Sequence, residues 1–81
     1  LLFIQLLYTM KKIKKIKIKV NGKITTIVDK ITLAELINDL KIPIRKVAIE
    51  FNKEIIDKKR IKKLKLKNND IIEVVHFIGG G

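Results

Sequence analysis

Cysteine and tryptophan are absent from the 81 residues, and proline, histidine and methionine occur once each. Without cysteine there is no disulfide to staple a small fold and no thiolate to hold a metal. That absence is compatible with a cytoplasmic location. A zinc site built on a single imidazole needs carboxylates around it, and no metal-ligand spacing is visible, so no bound metal is expected. Arginine occurs only at Arg45 and Arg60, although its planar fork is the preferred reader of phosphates and bases. Three phenylalanines and one tyrosine make a poor platform for stacking nucleobases. Long apolar runs are missing too. Residues 1–9 are apolar and uncharged, yet far short of the roughly 20 residues that cross a bilayer. They lack the basic start and small-residue cleavage site of a secretory signal. We read 1–9 as a non-native or disordered extension ahead of Met10, and expect no membrane role.

Lysine is what the chain has in excess. Lys and Arg total 19 against 8 Asp and Glu, a net charge of +11 with a pI near 10.1. Such a balance favours nucleic acid, anionic surfaces or acidic partners. The lysines, however, are spread over Lys11 to Lys19, over Lys58 to Lys67 and singly between, without aromatic interleaving. A solvated surface accounts for them better than a basic nucleic-acid-binding module, which stands as the rival class. Hydrophobics at 47% suffice for one small core, and residues 10–78 are assigned to a single domain.

The pattern of that domain is periodic. Ile16, Ile18 and Val20 alternate with Lys15, Lys17 and Lys19 within Lys12 to Val20, a half-buried strand. Asn21-Gly22 is the strongest short hairpin signal, because a type I′ turn demands positive φ twice. Lys23 to Val28 returns as a β-branched strand whose inward side the pattern leaves undefined. Thr32 and Glu35 form a capping box at the start of a helix striped by Leu33, Leu36, Ile37 and Leu40. Pro43 stops it. Val47, Ile49 and Phe51 mark a third strand, with a short continuation at Glu54-Ile55-Ile56 after the Asn52-Lys53 turn. Asp57 to Lys63 reads as a loop or single helical turn, and Lys65-Leu66-Lys67 as another short strand. Asn68-Asn69-Asp70 turns the chain into the strand Ile71 to Ile78.

Hairpin, helix, then strands is an α+β order: a mixed sheet of four to five strands crossed by one main helix. The first and last strands are expected side by side and parallel at the centre. Ile72 and Val74 then face the core. Glu73 marks the open face and takes Val75 and Phe77 with it. Two large apolar side chains facing outward there read as a docking patch, the alternative being an irregular strand end with Phe77 tucked under a loop.

Gly79, Gly80 and Gly81 gain nothing structurally, since glycine loses the most freedom on ordering. As a tail, 79–81 is thin, flexible and able to reach about 10 Å. It is chemically blank except for the α-carboxylate of Gly81. The functional reading is a reactive carboxylate presented to another protein's active site; the plain reading is a frayed terminus.

Several blocks together carry a likeness to a known family. They are Val20-Asn21-Gly22-Lys23, Thr32-Leu33-Ala34-Glu35-Leu36-Ile37, Val47-Ala48-Ile49-Glu50, Asn52-Lys53-Glu54-Ile55-Ile56, and the stretch from Asn69 through Gly81. The chain resembles the ThiS-type sulfur carriers, ubiquitin-like β-grasp proteins of thiamine biosynthesis. The block from Asp70 through the glycines is the most specific part, since a terminal diglycine alone is common to ubiquitin-like carriers. The departures are residues 1–9 and the lysine-dense Lys58 to Lys67. The resemblance implies a covalent co-substrate, not a catalyst, with no bound cofactor. An adenylating enzyme of the ThiF type, using ATP, would turn the Gly81 carboxylate into an acyl-adenylate. A sulfur-donor persulfide protein would then displace AMP and leave a thiocarboxylate, which delivers sulfur to thiazole synthase. Gly80 would be small for close approach and Gly79 a hinge. His76 reads as a strand residue at the rim, with no orienting partner apparent. Molybdopterin and tRNA-thiolation carriers share fold and tail, and are the nearest alternatives.

Overall fold

A computed structural model describes residues 3–6 and 13–77. The tail glycines Gly79, Gly80 and Gly81 lie outside the described residues. Residues 3–6 form one helical turn with exposed side chains. The domain contains β1 (Lys15–Val20), β2 (Lys23–Val28), α1 (Leu33–Asp39), β3 (Val47–Phe51), β4 (Glu54–Ile55) and β5 (Ile71–His76). Two 3-10 turns, Ile44–Lys46 and Lys58–Arg60, join them. The five strands form one sheet in the order β2-β1-β5-β3-β4. β5 runs parallel to β1 and antiparallel to β3, so the mixed sheet has the expected central pair.

The hairpin follows from its turn. Asn21 and Gly22 take φ of 49° and 81°, the left-handed pair a type I′ turn needs, and Val20 falls opposite Lys23. That register sets Ile16 opposite Ile27 and Ile18 opposite Thr25. It decides what periodicity in β2 left open: Thr25 and Ile27 turn inward, while Ile24 and Val28 face out.

The helix start is satisfied donor by donor. Leu33 N–H donates to the Leu64 carbonyl (2.8 Å), Ala34 N–H to Ile61 (3.0 Å), and Glu35 N–H to Thr32 Oγ1 (3.1 Å). The Glu35 carboxylate accepts from the Thr32 hydroxyl at 3.2 Å, a variant of the expected box, in which it would accept from the Thr32 amide. Because segment 61–66 is engaged in capping the helix, Lys65-Leu66-Lys67 is no strand. Only a single bridge, Thr32 to Lys65, forms there, and Leu66 is buried instead. The helix stops before Pro43. Lys41 enters the left-handed region at φ 56°; its N–H donates to Asn38 O and that of Ile42 to Ile37 O. Those two bonds are a Schellman stop. They leave Leu40 as the C-cap, 43% exposed, outside the stripe in which periodicity placed it.

Leu33, Leu36 and Ile37 therefore cover one face of the sheet, against Ile16, Ile18, Val47, Ile49 and Ile72. Burying each such side chain contributes about 1.5–3 kcal/mol before entropy is counted. Ile61 and Leu66 complete the core.

Polar clamps hold the start of β5. Asn21 N–H donates to the Ile72 carbonyl, while Asn21 Oδ1 accepts Val74 N–H at 2.8 Å. On the other side, Asn52 Oδ1 accepts Ile71 N–H at 2.8 Å, and Asn52 N–H donates to Ile71 O. The buried Asp70 carboxylate accepts from Asn52 Nδ2 (3.2 Å) and Lys67 N–H (2.7 Å). Asn21→Ala removes one bond to β5 and places a Cβ-branched-free but non-Asx residue at positive φ. It should lower stability by about 1–3 kcal/mol. Asn21→Gly, which keeps the turn, should cost less; urea unfolding of both checks the order.

Candidate functional site: an open sheet face leading to the tail

Among the described residues α1 covers one side of the sheet and no element covers the other. Registers fix what stands there. Glu50 lies opposite Glu73 and Ala48 opposite Val75; Glu50 also lies opposite Ile55 of β4, and Lys19 opposite Ile71. Along β5 the inward side is Ile72, fully buried, and Val74, packed on the core. Glu73 is exposed and Val75 is 48% exposed. Ile24 and Ile55, each 69% exposed, widen the apolar surface toward the two sheet edges.

The root of β5 is held from both sides, but its exit is not. Paired residues on β1 reach only to Ile72, and the Asn21 side chain extends that hold to Val74. Beyond it β5 pairs with β3 alone, ending with His76 opposite Val47 and Phe77 N–H donating to Lys46 O. Phe77 is 49% exposed, and the Lys58 ammonium stands 5.4 Å from its ring centroid. The ring is thus neither core nor bare. His76 is exposed, with no side-chain partner among the described residues.

A shallow recess of about 260 Å³ on the open face is lined by Lys19, Gly22, Glu50, Lys53, Ile71 and Glu73. Glu50 and Glu73 stand directly opposed there, an arrangement that like charges disfavour. Sequence reading singled out Glu73, Val75 and Phe77. It missed Glu50, Ile55 and Ile71, which join the face only through strand register. Among the described residues no group of acids and histidine is placed to hold a metal ion, and no helix is long and apolar enough to cross a membrane.

A mixed sheet wrapped on one helix, with a central strand leading out to a glycine tail, defines a ubiquitin-like β-grasp protein. The ThiS family model matches residues 12–81, and the chain belongs to that family. It is 42% identical over 50 residues to the sulfur carrier protein ThiS of Bacillus subtilis, covering 62% of this chain and 76% of that one. The crystal structure of the thiamine biosynthesis protein ThiS from Geobacter metallireducens superimposes with a TM-score of 0.73 at 29% identity. That match covers 82% of this chain and all of that one, 100%. A thiazole synthase of Paramagnetospirillum magneticum is 35% identical over 65 residues, which are 80% of this chain and only 20% of that protein.

Half exposure at Phe77 separates packing from docking. Phe77→Ala should cost far less stability than the about 3–5 kcal/mol of a core phenylalanine, with at most about 0.5–1 kcal/mol from the Lys58 contact. Thermal unfolding measures the loss.

Proposed function

We propose that this chain is a sulfur carrier of thiamine biosynthesis, with the Gly81 carboxylate as the group that is activated and loaded. The observation that carries this reading is the family match running through the tail to residue 81. The likeness to a protein named sulfur carrier supports it. A carboxylate is a poor electrophile, so loading needs prior activation. One Gly81 oxygen attacks the α-phosphorus of ATP on a ThiF-type adenylating enzyme, and pyrophosphate leaves. The terminal sulfur of a persulfide protein then attacks the acyl carbon and AMP departs. A thiol cleaves the resulting acyl disulfide, leaving as a disulfide, and the thiocarboxylate remains. Charge developing at phosphorus needs preorganised cations; those belong to the enzyme, and the carrier supplies a thin tail and a surface to grip.

Thiazole synthase is the delivery partner we infer. Its support is that a stretch like this chain occurs within a protein bearing that name. Gly80 is small so that the backbone can pass where no side chain fits, and Gly79 turns freely between the tail and β5. The surface for the enzyme is the open face with Glu73 and Val75, continued by Phe77.

Intact-mass spectrometry tests the proposal, with ATP, the adenylating enzyme and a sulfur donor present. Wild type should exchange one oxygen for sulfur, and a chain lacking Gly81 should not. Gly80→Val should leave the melting temperature unchanged and slow loading by at least about tenfold, or 1.4 kcal/mol. Loading of Gly80→Val at the wild-type rate would refute the threading argument. Absence of exchange on wild type would refute the carrier function.

A further inference from the structure

Apolar docking leaves one feature of the open face unexplained. Glu50 and Glu73 stand directly opposite one another, where like charges repel. The chain has 19 Lys and Arg against 8 acids, yet among the described residues neither glutamate side chain has a hydrogen bond or an ion pair. Lys19 and Lys53 line the same recess and still form no such pair with them. The face is split by charge. Lys15, Lys17 and Lys19 project from β1, while Glu50 and Glu73 occupy β3 and β5. Ile71 and Val75 flank Glu73 along β5, and Ile55 flanks Glu50 across the sheet.

Resting on the carrier reading, we propose that this face docks the adenylating enzyme through a cationic side chain of that enzyme, an arginine, seated between Glu50 and Glu73 within an apolar ring of Ile55, Ile71 and Val75. Charge complementarity selects that occupant. Opposed residues on neighbouring strands lie about 4.5–5.5 Å apart at Cα, so both carboxylates reach one planar guanidinium, whose fork serves two acceptors. The cation also removes a repulsion that the free protein carries, so the pair favours the docked state over the free one. An apolar patch alone tolerates sliding. A fixed charge pair sets one register and rejects basic surfaces in its place. Glu73 is on the strand that runs to the tail, so this register decides where Gly81 arrives.

The test uses Glu73→Gln, Glu50→Gln and the double variant, with the ThiF-type adenylating enzyme as the probe. Each single variant should melt about 1–5 °C higher than wild type, because repulsion is relieved. Each should also bind the enzyme at least about tenfold more weakly by titration calorimetry, and the second substitution should add little to the first. Stabilisation of the free protein together with loss of affinity is a combination that a purely structural pair does not give. A lower melting temperature in the single variants would show that Lys19 and Lys53 already neutralise the pair, and would overturn the proposal. Unchanged affinity would overturn it as well. So would stabilisation of wild type, but not of the double variant, by millimolar manganese or calcium chloride, since the pair would then be a metal site. These readouts need no turnover. Failure of wild type to acquire sulfur counts against the carrier function, whereas loading of wild type with unchanged affinity in the variants counts against this inference alone.

Discussion

The hydrogen bonding of β5 is the constraint on which the rest depends. Its first residues are held on both sides, by β1 through Ile72 and by β3 along its length. A parallel neighbour on one flank and an antiparallel one on the other requires β1 to be far away in sequence and joined by a crossover. The helix supplies that crossover and buries the sheet face it crosses. The hairpin turn contributes twice. Asn21 closes β1 onto β2, and the same side chain holds Val74 in place. Asn52 repeats the device at the opposite flank, at φ 49° and bonded to Ile71. Two asparagine turns from unrelated parts of the chain thereby converge on one strand.

Support for the helix follows the same economy. Its first amides are satisfied by carbonyls of Ile61 and Leu64, so a stretch dense in lysine still has one buried side, Ile61 and Leu66. Charge at Lys62, Lys63, Lys65 and Lys67 stays in water while two apolar residues anchor the segment. The composition that suggested an irregular surface loop is therefore compatible with a fixed path, set by backbone bonds rather than by pairing.

Where period and chemistry spoke together, the fold was legible. Lysine and isoleucine alternating in β1, Asn-Gly in the turn and Thr32 before Leu33 each leave one inexpensive local solution. Leu40 was misplaced because a 3.6-residue stripe cannot see that Lys41 adopts positive φ and ends the helix first. Lys65-Leu66-Lys67 was misread because three residues fit a strand or a cap equally well, and the helix amides decided between them. At the candidate site, Glu73 and Val75 were legible from alternation within one strand. Glu50 was legible only as an outward residue of β3; that it faces Glu73 is a property of register between strands 20-odd residues apart, which no local pattern encodes.

The uneven grip on β5 also bears on force. On the proposed carrier function, an enzyme that draws residues 79–81 into a narrow channel pulls along the axis of β5. Ladder bonds to β3 and β1 lie across that axis, so they are loaded in shear and share the tension, instead of parting one after another as a peeled edge strand would. The asparagine bonds, to Ile71, Ile72 and Val74, lie behind the last two residues of the strand. On the proposed carrier function the body can therefore stay folded under such a pull, and β5 doubles as the tether that withstands it.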